Sequence, residues 1–418
     1  MKKMCFNLFI LLLGVFSLLP QLSSADSEIT IPVSSEIDLS VERFPSSGQY
    51  LIIWLAPEYG LRTNHRFMAR QLTEENIEVW LTDIAESLFL PQTTGSLKQL
   101  DAHYVADLMD YAHKTTGKKI IVAGDSYAAL NVLQGVHQWQ QTSHESSYFI
   151  AAILFSPSLY AYIPSLGLAP EFMPIASASN IPMMIYQGQK SGNITQFRRM
   201  IEQLQQYDNP VYSKIIPDFR SLFYVKEPTK EMIKTIELLS SNIRKMISVL
   251  EKHRVPDTPV PLKKMTISNS GIDHSIKEFQ GNNIPYKIKL ADAYGNIFNK
   301  QDYKGQITIV NFWATWCPPC VEEIPSLNRL KKKMSGLPFE LISINYAEDK
   351  ETILEFMKKV NVEFPVLLDL NGDFAKKWNV ITYPSTFVIA PDGKIIYGVN
   401  AAIEWDDSEF IEKIKSLL

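Results

Sequence analysis

The sequence predicts an α/β protein made of two separate domains. The chain has 418 residues, which is more than one typical domain contains. Apolar runs of strand length alternate with amphipathic helical patterns over residues 28–253, and the alternation returns over residues 284–418. Between them, residues 254–283 begin proline-rich and continue polar, which is typical of a semi-rigid linker.

Composition narrows the class of function. Apolar residues make up 46% of the chain and charged residues 21%, which are ordinary values for globular protein. The formal net charge is -4, and no basic cluster with interleaved aromatic residues is present. We therefore expect no nucleic acid as a partner.

The amino terminus has the pattern of a secretory signal peptide at residues 1–25. Two lysines precede an apolar run at 6–19, and Ser23 and Ala25 supply the small residues of a cleavage site. The run is shorter than the twenty or so residues that a spanning helix needs. We expect a periplasmic or otherwise extracytoplasmic protein with no stable membrane span after cleavage. An uncleaved anchor is the alternative.

The first domain is predicted to contain a mostly parallel sheet with helices on both faces. Its clearest strand patterns lie at residues 50–55, 79–84, 119–123, 149–155 and 183–186. Its helical patterns lie at residues 104–113, 127–140, 194–204 and 232–250.

Residues 124–128 of this domain read Gly-Asp-Ser-Tyr-Ala and lie between a predicted strand and a predicted helix. They resemble the nucleophile elbow of the α/β-hydrolases, and the loop at 56–60 resembles the loop that supplies an oxyanion-hole N–H. The resemblance implies a hydrolase-like domain with Ser126 as a possible nucleophile and the Tyr127 N–H as an oxyanion donor.

The rest of a catalytic triad is not recognisable in the sequence. No carboxylate follows the strand that ends at Tyr186, where the fold places its acid. The histidines between the elbow and the linker are His137, His144 and His253. None of them lies where a base is expected, and a serine without a base is a weak nucleophile. We favour a scaffold that binds a partner or ligand, with a serine esterase fused to a second domain as the alternative.

Residues 313–320, Trp-Ala-Thr-Trp-Cys-Pro-Pro-Cys, carry the strongest chemical signal. An apolar strand pattern at 307–312 precedes them and an amphipathic helical pattern follows, so Cys317 and Cys320 lie in the first turn of a helix. The free N–H groups and the dipole of a helix start favour a thiolate. Two intervening residues keep both sulfurs within reach of a reversible disulfide. The pattern predicts a redox site.

Other uses of the two cysteines fit less well. Zinc needs four ligands, and no second cysteine or histidine pair lies nearby. A structural disulfide closing so short a loop would constrain the unfolded chain little. Of three cysteines in the chain, Cys5 lies in the predicted signal, so the mature protein keeps only the reactive pair. We expect no metal and no bound cofactor.

The second domain resembles the thioredoxin fold, in particular the TlpA/ResA-like thiol-disulfide oxidoreductases. The segment 311–320 matches that branch's active-site sequence, and Glu323 and Pro325 match its continuation after the second cysteine. Residues 383–387, Tyr-Pro-Ser-Thr-Phe, resemble the segment that carries the family's cis-proline.

The resemblance and the chemistry together suggest a mechanism. Cys317 attacks a substrate disulfide as a thiolate, and Cys320 resolves the mixed disulfide. Glu323, one turn beyond Cys320, is predicted to have a raised pKa and to exchange protons with it, although a solvated surface glutamate is the alternative.

Trp316, Tyr383 and Pro384 are the residues that the resemblance implies for substrate docking. The resemblance favours a reductase of cysteine-containing exported proteins, for instance during cytochrome c maturation. Its electrons would come from a membrane thiol-electron donor. An oxidase or isomerase would use the same residues at a different reduction potential.

Overall fold

The computed structural model describes residues 27–33, 37–143, 147–224, 228–265 and 274–418. The predicted signal peptide lies outside these ranges. Among the helices of the described ranges, none has the length and apolar character that crossing a membrane requires.

Eight strands in the described part of the first domain form one sheet in the order β1-β2-β4-β3-β5-β6-β7-β8. The strands are β1 (Ser27–Pro32), β2 (Asp38–Phe44), β3 (Tyr50–Leu55), β4 (Ile77–Thr82), β5 (Lys119–Asp125), β6 (Phe149–Phe155), β7 (Met183–Gly188) and β8 (Val211–Ile216). The pairs β1/β2 and β2/β4 are antiparallel, and all other neighbours are parallel. β3, β4, β6 and β7 are buried along their whole length, as expected for parallel strands covered on both faces.

Helices cover both faces of this sheet. They are α1 (Thr63–Glu74), α2 (Ile84–Ser87), α3 (Thr94–Gln99), α4 (His103–Thr116), α5 (Ala128–Thr142), α6 (Pro174–Ala178), α7 (Phe197–Leu204) and α8 (Lys230–Leu250). α1 and α8 pack on one face with Ile52 and Trp54. α4 and α5 pack on the other face with Leu51 and Ile53. The alternation of β3 side chains between two cores follows from the period of two in a strand.

The second domain is built on a sheet whose six strands in the described residues follow the order β14-β13-β12-β15-β16-β9. Its strands are β9 (Lys277–Glu278), β12 (Ile307–Trp313), β13 (Phe339–Tyr346), β14 (Val366–Asp369), β15 (Ser385–Ile389) and β16 (Ile395–Val399), and a hairpin precedes them with β10 (Ile288–Ala291) and β11 (Ile297–Lys300). β12 pairs in parallel with β13 and antiparallel with β15. Its helices are α9 (Pro318–Lys333), α10 (Lys350–Met357), α11 (Asp373–Lys377) and α12 (Ser408–Lys415).

Several predicted elements of the first domain differ from the structure at their ends, and two of these differences are informative. The predicted strand 79–84 ends at Thr82, because the side chain of Asp83 accepts a hydrogen bond from the Glu86 N–H and caps α2. The predicted helix 194–204 begins as a 3-10 turn at Gly192–Gln196 and becomes α-helical only in α7. The short strands β1, β2 and β8 were not predicted from the sequence.

The predicted linker 254–283 contacts both domains where the structure describes it. The carbonyl groups of Pro256 and Val260 accept hydrogen bonds from Gln140 and His137 of α5. β9 forms the edge of the second sheet through its pairing with β16. The described parts of the segment are therefore bound to the domains, because backbone carbonyl groups and a strand edge have partners there.

The two domains also contact each other directly. The Tyr346 hydroxyl of β13 donates a buried hydrogen bond of 3.1 Å to the Ser191 carbonyl of the first domain. Leu166 of the first domain packs among apolar side chains of the second, including Ile288 and Phe387. These contacts hold the first domain against the second.

Candidate active site between the two domains

The start of α9 holds the two cysteines. Cys317 is the N-cap residue, and its sulfur is bonded to that of Cys320. Pro318 and Pro319 occupy the first two helical positions and have no N–H, so the Cys320 N–H is the donor that reaches the Cys317 sulfur, at 3.3 Å. A backbone N–H at a helix start is a group that stabilises a thiolate.

The two sulfur positions differ in access. Cys317 is 5% exposed and lines a cleft between the domains, whereas Cys320 is 1% exposed. An incoming disulfide therefore has a path to Cys317. Cys320, one turn into the helix, is shielded from it.

Glu323 is buried one turn beyond Cys320. Its carboxylate accepts hydrogen bonds of 2.8 Å from the Asn311 amide and from the indole N–H of Trp405. Burial raises its pKa to about 7, although the two hydrogen bonds act in the opposite direction by favouring the charged form. A carboxyl group with this pKa can hold or release a proton near neutral pH.

Trp405 is a site residue that the sequence analysis missed. It lies far along the chain from the active-site segment, and the sequence gives no signal of its contact with Glu323. Asn311 was noted only as part of the matching segment, and the structure shows its amide on the same carboxylate.

Two of the residues predicted for docking, Trp316 and Tyr383, line the same cleft as Cys317. The Tyr383–Pro384 peptide bond is cis. The Tyr383 ring packs edge-on against Trp316 with 5.7 Å between ring centroids, and both side chains line the cleft. The structure thus brings Trp316, Tyr383 and Cys317 together.

The cleft has a volume of about 500 Å³, which is within the range of small-ligand sites. On the side of the first domain it is lined by residues that follow parallel strands at their carboxyl ends, namely Glu58, Ser126, Ser156 and Ser191. Ligands of open α/β sheets bind at that edge. In the residues that the structure describes, no group of three or more histidine, cysteine or acidic side chains is placed to hold a metal ion.

Ser126 lies on a tight turn between β5 and α5. Its φ of 52° is in the left-handed region, which a nucleophile elbow also requires. Its hydroxyl donates to the Glu58 carboxylate at 2.8 Å, and the other oxygen of Glu58 accepts from the Tyr127 N–H at 3.3 Å. The carboxylate therefore occupies the backbone donor that an oxyanion would need.

Burial raises the pKa of Glu58 to about 6, and the Ser126 hydroxyl opposes that rise. The group is mostly ionised at pH 7. A negative charge at this position disfavours the developing oxyanion of acyl transfer.

His65 of α1 lies near the elbow, although the sequence analysis did not consider it. Its Nδ1 accepts from the Arg62 N–H at 2.9 Å, so Nε2 carries the proton and donates to Asp125 at 3.0 Å. The Tyr59 hydroxyl donates to the same aspartate. Both ring nitrogens are used, and neither contacts Ser126.

Arg220 was also missed, because nothing in its sequence context distinguishes it. Its guanidinium lies 3.6 Å from the centroid of the Trp316 ring and 5.0 Å from that of Tyr224. Burial lowers its pKa to about 10, which still leaves it charged at neutral pH.

Comparisons with known proteins identify the second domain. The model of the AhpC/TSA family matches residues 280–398. The thiol-disulfide oxidoreductase ResA of Bacillus thuringiensis subsp. konkukian (strain 97-27) is 32% identical over 126 residues, which are 30% of this chain and 73% of the relative. ResA of Bacillus subtilis (strain 168) is 34% identical over 117 residues, 28% of this chain and 65% of the relative. The crystal structure of StoA from Bacillus subtilis is 25% identical with a TM-score of 0.27, and the match covers 32% of this chain and 98% of that chain.

The chain therefore belongs to the ResA-like thiol-disulfide oxidoreductases through its thioredoxin-fold domain. The predicted thioredoxin fold and oxidoreductase class are confirmed. The hydrolase-like nature of the first domain stays a prediction.

Proposed function

We propose that the protein reduces disulfides of exported proteins through Cys317 and Cys320. The observation that carries the proposal is the asymmetry of the pair, since the Cys317 sulfur borders a cleft and Cys320 lies behind it, next in the helix to the buried Glu323. Attack and resolution need that division of access.

Each turnover transfers two electrons. The Cys317 thiolate, stabilised by the Cys320 N–H, attacks one sulfur of the substrate, and the other sulfur leaves as a thiolate that takes a proton from water. Cys320 then gives its proton to the Glu323 carboxylate and attacks the Cys317 sulfur. The second substrate thiolate leaves and is protonated, and the enzyme retains the Cys317–Cys320 disulfide.

The cycle needs a dithiol donor to return the enzyme to its reduced form. We propose a membrane thiol-electron donor for this role, and cysteine pairs of exported proteins, such as those handled in cytochrome c maturation, as clients. We also propose an extracytoplasmic location, which the signal pattern at residues 1–25 supports.

The first domain is proposed to be an α/β-hydrolase-like scaffold that forms one wall of the cleft. The left-handed turn at Ser126 and the parallel sheet support the fold. The position of Glu58 on Ser126 and on the Tyr127 N–H favours a binding role over ester hydrolysis.

The reductase proposal is tested by dithiothreitol-driven reduction of insulin. The mature chain should accelerate it, and Cys317→Ser should abolish the acceleration. Rates equal to dithiothreitol alone, in folded protein with titratable thiols, would overturn the proposal. The reduction potential decides the direction: a value near that of thioredoxin, about -270 mV, supports a reductase, and one near about -120 mV indicates an oxidase.

The scaffold proposal is tested separately with a fluorophosphonate probe. We expect no labelling of the wild-type protein above the level of Ser126→Ala. Labelling that depends on Ser126 would establish a competent nucleophile and favour the esterase alternative.

A further inference from the structure

We infer that the cleft selects client segments that carry a carboxylate beside the reactive cysteine, and that Arg220 binds this carboxylate. The inference rests on the proposed function and names the kind of substrate that the first domain adds to it. Arg220 belongs to the first domain, but its side chain lies beside the cysteine pair of the second domain.

Arg220 is held rigidly where it can meet a substrate. It follows β8, and the Lys190 N–H donates to the carbonyl of the preceding residue, Phe219, at 2.9 Å. Gly188 packs against the Arg220 carbonyl so closely that any side chain there would collide with it. The Arg220 guanidinium stacks on Trp316, the residue next to Cys317.

The charge of Arg220 is not neutralised by an ion pair in the described residues. Glu348, the acid that acts most strongly on its pKa, accepts hydrogen bonds from the Thr315 N–H and the Asn345 amide, each at 2.8 Å. Glu58, the acid that lines the cleft, is engaged by Ser126 and Tyr127. The N–H groups of the guanidinium thus remain available to a ligand.

A carboxylate is the ligand that this arrangement fits. A planar guanidinium presents paired donors that match the two oxygens of a carboxylate, and stacking on an aromatic ring fixes its plane. Arg220 and Cys317 line the same cleft, so a single short ligand can contact both.

The client group that fits is an extended segment. The first domain lies over the surface around Cys317, since the Tyr224 hydroxyl donates to the Trp316 carbonyl at 3.4 Å and Gly192 borders Tyr383. A cleft of about 500 Å³ admits a few residues beside Tyr383. An acidic side chain next to the client cysteine would then lie near Arg220.

The test is single-turnover reduction of matched peptides by the pre-reduced enzyme. The substrates are end-blocked X-Cys-Gly peptides in mixed disulfide with β-mercaptoethanol, where X is Glu, Gln or Lys. We expect the second-order rate constant to be about tenfold higher for Glu than for Gln, and lowest for Lys, because a charge-assisted hydrogen bond forms only with Glu. Equal rates for Glu and Gln would overturn the inference without affecting the reductase proposal, whereas a failure of the reduced enzyme to react with any peptide would count against the reductase proposal itself.

Arg220→Gln should remove the difference between the Glu and Gln peptides. Arg198→Gln is the matched control, because Arg198 lies on α7 with 93% of its side chain exposed, and it should keep the difference. The ratio between peptides is the readout, since a general change in Cys317 reactivity would alter all rates together. A ratio unchanged in Arg220→Gln would contradict the role of Arg220. The same rate constants are measured for dithiodiglycolate, a small disulfide that carries two carboxylates. If the reduction rate depends on Arg220 for this compound but for no peptide, the assignment to a client segment is overturned.

Discussion

Two buried carboxyl groups with raised pKa values lie near reactive side chains, and their surroundings separate their roles. Glu323 accepts from two side chains, Asn311 and Trp405, and lies one turn beyond Cys320. Glu58 accepts from the hydroxyl and backbone of the elbow itself. The first arrangement keeps a proton-exchanging group near a thiol, whereas the second blocks a backbone donor.

Glu323→Gln is expected to slow resolution of the mixed disulfide by about 100-fold. In the proposed mechanism Glu323 can accept the Cys320 proton only when ionised, so resolution should accelerate as the pH rises through about 7. The variant should lose this inflection. Stopped-flow tryptophan fluorescence at a series of pH values measures it.

Glu322→Gln is the matched control, since this neighbour on α9 is exposed. It should retain the wild-type pH profile. An inflection near pH 7 that persists in Glu323→Gln would assign the titration to another group.

Among individual residues, the sequence predicted those that belong to one local motif. Cys317, Cys320 and Glu323 lie within seven positions of each other, so spacing and resemblance identify them. Trp405, Arg220 and the Glu58–Ser126 contact could not be predicted. They depend on folding that brings distant segments together, and no local sequence pattern marks these contacts.

Among the elements, α9 determines the reactivity of the site through its first turn. An N-cap group accepts hydrogen bonds from the second or third helical residue, and here the second residue, Pro319, has no N–H. The Cys317 sulfur therefore receives one backbone hydrogen bond, from Cys320.

Pro319→Ala should restore the missing donor and lower the pKa of the Cys317 thiol by about half a unit. The ultraviolet absorbance of the thiolate in reduced protein, followed against pH, measures this change. Pro325→Ala, a like substitution one and a half turns further along α9, should leave that pKa unchanged. Equal shifts in both variants would show that helix stability, rather than the added N–H, is responsible.

The secondary-structure elements that the sequence predicted best are those with a strong hydrophobic pattern. β3 and β6 are continuous apolar runs and were located at both ends. β8 is exposed or partly exposed along most of its length at the edge of its sheet, and β9 contains two residues, so neither has a distinctive hydrophobic period.

For the whole molecule, the important feature is the position of the first domain relative to α9. The carboxyl ends of the parallel strands of the first domain face the start of α9. Leu166 is a main apolar contact, being 4% exposed and packed in the core of the second domain. The sequence predicted two domains joined by a semi-rigid linker. It could not reveal this contact, because Leu166 lies in a loop whose partners are distant in the chain.

Leu166→Ala should lower the free energy of unfolding by about 3 kcal/mol, since it leaves a cavity between the domains. Urea denaturation measures the loss. Leu168→Ala, in the same loop but 45% exposed, should change it by less than about 0.5 kcal/mol. Equal effects of the two substitutions would mean that Leu166 does not join the domains.

The central claim is that Cys317 attacks and Cys320 resolves, and trapping of the mixed disulfide tests it most directly. Cys320→Ser protein should accumulate a covalent adduct at Cys317 when it is mixed with insulin whose disulfides are intact. Peptide mass spectrometry identifies the adduct. Cys317→Ser protein, which retains the shielded Cys320, should form little. Adducts at Cys320 that form as readily as those at Cys317, or none at either, would contradict the account.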